Sequence, residues 1–231
     1  MPTLTPTAPF GARSAPQEMT YVDPARQMPE AERQQFLDGT GLNGAFVADL
    51  LSDMLCHERC GAHLYRSVAV RTNNPVLKRQ YEHFGEETVE HVDILETLIS
   101  QLGGDPMYVS PAARATEKAD SSLVESTFML AGSVDVMTQE LVMLDAVMLA
   151  EAKDHANWSG LSQLVDTFPE GELRDHVRRA VERVEPQEDD HLGWAQETRA
   201  KLIALQVKSS AMATVGAKAE EAVARVKDWL S

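Results

Sequence analysis

Cysteine is almost missing from this chain: two occur in 231 residues, Cys56 and Cys60. A disulfide scaffold is thereby excluded, because two cysteines four apart on one helix bridge poorly, and a reducing cytoplasm is the expected location. Basic residues are also short, with 21 Lys+Arg against 36 Asp+Glu and a net charge of −15. With no basic stripe to neutralise phosphates, nucleic acid is excluded as a partner, and anionic membrane surfaces are disfavoured for the same reason. Long apolar runs are absent as well. The longest, around Leu141–Ala150, is broken by Asp145 and too short to span a bilayer. The opening residues, MPTLTPTAPFGARSAP, lack the basic segment and apolar stretch of a secretory signal. Strand-like runs of Val, Ile, Thr and aromatics are scarce too, which leaves an all-α reading.

What is present is an ordinary globular profile, 43% hydrophobic and 25% charged, in a chain long enough for one sizeable core. Residues 1–38 are rich in proline and poor in periodic hydrophobicity, and read as an extended or mobile arm in which MPEAERQQFL forms a short helix at most. Residues 39–208 read as one helical domain. A first helix over about Asn43–Arg71 carries Val47, Leu51, Met54, Glu58, Gly61, Tyr65 and Val68 on one stripe. TNNP ends it, and Asn74 with Pro75 caps and starts a second helix bearing Leu77, Tyr81, Phe84, His91, Leu95, Leu98 and Leu102. After GG at Gly103-Gly104 comes a long connection, with helical patterning resuming from about Leu123.

The third helix has Met137, Leu141, Leu144, Met148, Glu151, His155, Trp158 and Val165 on its stripe. FPEG, Phe168–Gly171, turns into a fourth with Leu173, Val177, Val184, Glu188, His191, Thr198, Leu202 and Leu205. Two antiparallel hairpins joined by one long crossover make a four-helix bundle. Residues 209–231 pattern as a short amphipathic C-terminal helix that docks on the bundle or on another subunit, so a homo-oligomer is expected. TVGAK, Thr214–Lys218, reads as linker or as a docking segment for a protein shell.

Chemistry enters through the polar residues on these apolar stripes. Acid–histidine pairs at helical spacing are common in so acidic a chain, and His57 with Asp53 or His176 with Glu172 read as solvated faces. Glu58, His91, Glu151, Glu188 and His191 instead fall on the interior stripes, each near the middle of its helix. Several carboxylates brought together in a low-dielectric core cost several kcal/mol per ion, roughly, unless paired. No Lys or Arg shares those stripes at that height. Glu58, Glu87, Glu151 and Glu188 supply a charge of −4, which two divalent cations balance. Two imidazoles complete an oxygen/nitrogen set suited to two Fe or Mn ions rather than to a thiolate-rich zinc site.

These residues resemble the ferritin-like di-iron/di-manganese carboxylate proteins, which include bacterioferritins, rubrerythrins and manganese catalases. The family pattern is Glu on helix one, Glu-x-x-His on helix two, Glu on helix three and Glu-x-x-His on helix four. EDDH supplies Glu188 and His191, with Trp194 one turn on; Glu58 is followed seven residues later by Tyr65; and HVDILETLISQLGGDP follows His91. The similarity covers roughly residues 43–206. It departs from the pattern at Thr88, where helix two should carry its Glu. Either Glu87 reaches over by the other helical offset or the helix holds a π-bulge. On helix three the ligand is Glu151 or Asp154, with Glu151 central on the stripe. Pro186, just before Glu188, kinks helix four or divides it in two. Cys56 and Cys60 flank Glu58, either as packing residues or as thiols exposed to a redox metal.

The resemblance implies a dinuclear oxidoreductase that reacts with O2 or peroxide, with Glu87 and Glu188 bridging and Tyr65 as proton or electron donor. Substrate oxygenation usually calls on a larger scaffold and partner proteins, so iron oxidation or peroxide detoxification leads. No Cys-x-x-Cys segment supplies a rubredoxin-like electron path. The alternative is a bundle that binds or stores metal without turnover, or a degenerate scaffold or stress protein.

Overall fold

The computed structural model describes residues 27–129 and 134–208. All the regular structure among these residues is helical: α1 (Glu30–Gln35), α2 (Gly44–Arg71), α3 (Pro75–Gln101), α4 (Pro111–Ser126), α5 (Val136–Leu164) and α6 (Glu172–Lys208), with a 3-10 turn at Val165–Thr167. The amphipathic segment expected over 209–231 and the arm up to residue 26 lie outside the described residues. No described helix is long and apolar enough to cross a membrane.

The helices α2 to α5 each start on a side chain that takes up free backbone N–H groups. Asn43 accepts from Phe46 N, Asn74 from Val76 N and Leu77 N, Ser110 from Ala113 N and Asp135 from Thr138 N. Pro75 and Pro111 occupy first-turn positions, where their missing N–H costs nothing. The α3 helix ends on Gly103 with φ +85°, a left-handed conformation that glycine adopts without strain. Gly44 has a different role. A Cβ there would lie 1.5 Å from the Phe36 carbonyl oxygen, so only glycine lets the segment after α1 lie against the start of α2.

The α2–α3 and α5–α6 pairs form two antiparallel hairpins that pack on one another through α2–α5 and α3–α6. The crossover between them differs from the expectation of an irregular connection up to about residue 123. It contains α4, a regular helix laid along α2 and α5. Its hydrophobic stripe is thin, with Ala113, Thr116 and Asp120 as its buried residues, which is why periodicity alone left it unseen. Polar ties hold it instead. Ser52 Oγ donates to Tyr108 O at 2.9 Å, Ser110 N donates to Ser52 Oγ at 2.9 Å, and the Cys56 thiol donates to Ala113 O at 3.2 Å.

His57 is a second correction. It is buried rather than solvated, with Nδ1 2.7 Å from Asp120 Oδ2 and Nε2 3.0 Å from Ala150 O. One imidazole thus joins α2 to α4 and to α5. Both nitrogens face acceptors, so the ring is held as an imidazolium: burial pushes its pKa down, but Asp120 outweighs this and leaves it raised. Pro186 neither ends nor divides α6, which runs unbroken past it.

The apolar core has two halves. One contains Leu51, Met54, Leu55, Leu95, Leu98, Trp158, Leu161 and Val184; the other contains Leu64, Tyr65, Val68, Tyr81, Phe84, Leu144, Val147 and Leu202. Between them, from all four bundle helices, come buried Glu58, Thr88, His91, Glu151, Asp154, Glu188 and His191.

Candidate metal centre

Two clusters capable of holding a cation share one residue. Glu58, His91 and Glu188 form the first, Glu151, Glu188 and His191 the second; in each, the ligand atoms lie within 4.8 Å of one another. His91 Nδ1 is 2.8 Å from Glu188 Oε1 and 3.7 Å from Glu58 Oε2. His191 Nδ1 is 3.4 Å from Glu151 Oε2 and 3.7 Å from the same Glu188 oxygen. Helical spacing explains the sharing: residues 188 and 191 are one turn apart on one face of α6, and each of the other helices brings its group to that height.

Outer hydrogen bonds fix which atom of each side chain points inward. Trp158 Nε1 donates to Glu58 Oε1 at 2.6 Å, and the Tyr65 hydroxyl donates to Glu151 Oε1 at 2.7 Å. His91 Nε2 donates to Gln187 Oε1 at 3.2 Å, His191 Nε2 donates to Glu87 Oε2 at 3.0 Å, and Gln187 Nε2 donates to Glu87 Oε1. The Glu87–Gln187 pair therefore holds both rings with Nε2–H outward and Nδ1 inward.

The remaining atoms are the telling ones. Glu58 Oε2, His91 Nδ1, Glu151 Oε2, Asp154 Oδ1, His191 Nδ1 and both oxygens of Glu188 are buried without a hydrogen bond. Buried polar atoms are nearly always satisfied, and seven such atoms on six side chains of one buried layer fit cations as their missing partners. In the metal-free chain protons answer the strain instead. Burial pushes Glu188 up, Glu151 and Glu58 add to this against His91, and the result is about 7. Burial lowers His91, but Glu188 and Glu58 outweigh it and take the imidazole up to about 10. Asp154 is held well above the carboxylate range by burial and then by the charges of Glu58, Glu188 and Glu151.

Not every residue picked from the sequence joins the two clusters. Glu87 lies at the rim, with its side chain 20% exposed, and reaches His191 from the far side of the ring. The α3 helix is regular around it, with no π-bulge. Thr88 is buried, but its hydroxyl donates to Phe84 O one turn back and offers nothing to the centre. His155 turns to the surface and pairs with Asp189 at 2.9 Å. Trp194 packs edge-on against Tyr81 and Phe84. Two outer residues were given no part in the site by the sequence reading, although Trp158 was placed on the interior stripe. Gln187 sits four before His191 on the same face, and Trp158 seven after Glu151, so helical spacing held a signal for both.

An all-helical bundle with buried, paired carboxylate–histidine clusters fits the ferritin-like class of dinuclear metal proteins. A curated protein that matches the chain is the 3-demethoxyubiquinol 3-hydroxylase of Polynucleobacter asymbioticus, 35% identical over 54 residues. The match takes in 23% of this chain and 26% of the hydroxylase, so it spans about a quarter of that relative's length. No protein-family model matches the chain, and no solved structure does.

Proposed function

We propose that the chain is a dinuclear iron or manganese oxidoreductase that reacts with dioxygen or peroxide. The observation that carries this is the set of seven buried atoms, both Glu188 oxygens among them, that make no hydrogen bond and have one another as close ionic contacts. Glu58 and His91 would hold one ion, Glu151 and His191 the other, and Glu188 lies between the two sets. When bound, such ions polarise an oxidant and exchange electrons with it. The protein's own share is positional. Trp158 and Tyr65 each hold one carboxylate oxygen, leaving the second free, and the Glu87–Gln187 pair sets the tautomer of both rings. Tyr65 retains its proton, since burial and the adjacent Glu151 push its pKa well up, and that O–H is the nearest phenolic proton to a ligand oxygen.

Iron oxidation or peroxide breakdown is the leading chemistry. Hydroxylation of a reduced aromatic substrate is the second reading, favoured by the similarity to a protein named as a quinol hydroxylase. The test is anaerobic loading with Fe(II) or Mn(II), metal analysis, and then oxygen and peroxide consumption with and without a short-chain quinol. Two ions per chain with turnover of oxidant supports the enzyme, and a hydroxylated quinol by mass spectrometry supports the second reading. Two ions without turnover leaves a storage protein. A chain that takes up no metal is a scaffold, and the proposal falls. Glu188→Ala and His191→Ala should lose metal while exposed His176→Ala keeps it; equal loss in all three would overturn the ligand assignment.

A further inference from the structure

We propose that Asp154 is a further metal ligand of this centre, standing in for the carboxylate that Thr88 fails to supply. The inference rests on the dinuclear reading above and concerns the part of it where this chain departs from the expected pattern.

Helix register places the two residues at one level. The α2 and α5 helices run antiparallel, and two hydrogen bonds fix their alignment: Trp158 to Glu58 at one end, Tyr65 to Glu151 at the other. Midway between these ties, Asp154 on α5 comes level with Gly61 on α2. Gly61 in turn faces Thr88 on α3, whose Cγ2 would touch a Cβ placed there at 3.4 Å. Gly61, Thr88 and Asp154 therefore share the layer that runs between the Glu58–His91 and Glu151–His191 groups. A glutamate at 88 would have met the ions in that layer from the α3 side; Asp154 meets it from α5.

The side chain is built for this. It is 4% exposed, its Oδ1 has no hydrogen-bond partner, and, although it stands outside the two three-residue clusters, the charges of Glu58, Glu188 and Glu151 act on it. Asp154 also keeps the charge count. With Glu87 at the rim on the outer side of His191, the buried carboxylates between the two core halves are Glu58, Glu151, Asp154 and Glu188, and their −4 again matches two divalent ions.

The experiment compares metal stoichiometry and affinity, by anaerobic Mn(II) titration and metal analysis, in the full chain, Asp154→Asn and Thr88→Glu/Asp154→Asn. Asp154→Asn keeps the shape and removes the charge, and a melting curve of each metal-free variant checks the fold. The expected results are two ions in the parent, loss of one ion or at least a tenfold weaker second ion in Asp154→Asn, and recovery in the double variant. Parent-like binding in a folded Asp154→Asn would overturn the inference while leaving the dinuclear centre intact. A parent chain that binds no Mn(II) or Fe(II) would instead overturn the reading beneath it. If Asp154→Asn loses the ion and a folded double variant recovers nothing, the exchange between positions 88 and 154 is wrong.

Discussion

At the scale of single residues, the centre is defined as much by what holds the ligands as by the ligands. Each imidazole has one nitrogen tied outward and one turned to the buried carboxylates, and the outward ties meet in the Glu87–Gln187 pair. Carboxylates that hydrogen-bond the outer nitrogen of a ligating histidine fix its tautomer and raise its basicity, and their loss typically costs roughly 10–100-fold in metal affinity. Glu87→Ala should therefore weaken metal binding by about that factor without abolishing it, as read by competition with a chromophoric chelator. Unchanged affinity would show that Glu87 is a surface acid. The inward-facing Glu58, His91, Glu151, Glu188 and His191 were legible in the sequence, because polar residues on an otherwise apolar stripe break a local pattern. Thr88, Gln187 and Trp158 were not assigned their places, because those depend on how neighbouring helices align, which no local spacing encodes.

Among the elements, the crossover helix shows where reading by periodicity stops. The hairpins declare themselves through Asn74, Pro75 and Phe168–Gly171, and their observed limits follow those signals. The α4 helix has too few apolar residues to do so and is secured by His57 and Asp120, a pair with side chains only 2% and 8% exposed. Removing one member of such a buried pair leaves the other charge unmatched, a loss of about 3–5 kcal/mol. Asp120→Ala should lower the free energy of unfolding by roughly that amount in urea titrations. A change below about 1 kcal/mol would mean that water reaches His57. Because His57 precedes Glu58 in the chain, the same tie also anchors the helix turn from which the first cluster takes its carboxylate.

For the molecule as a whole, protonation and charge act in one direction. In the metal-free fold Glu188 keeps its proton to about 7 rather than its ordinary 4.5, and His91 keeps its proton to about 10 rather than 6.5. Both raised groups bind more protons folded than unfolded between those limits, so stability falls as pH rises from about 4.5 to about 10. Urea midpoints of chelator-treated protein should decline across about pH 5, 7 and 9, and a flat or rising series would contradict the burial of these groups. The net charge of −15 adds self-repulsion across the same range. The split core carries a consequence for the living cell. Two greasy halves meet across an acidic slab, and cations held in the slab only by the folded chain would stabilise it by mass action. On the proposed function, supply of the ion would govern how much of the protein survives its proteases: a starved cell would clear it, and a replete one would let it accumulate.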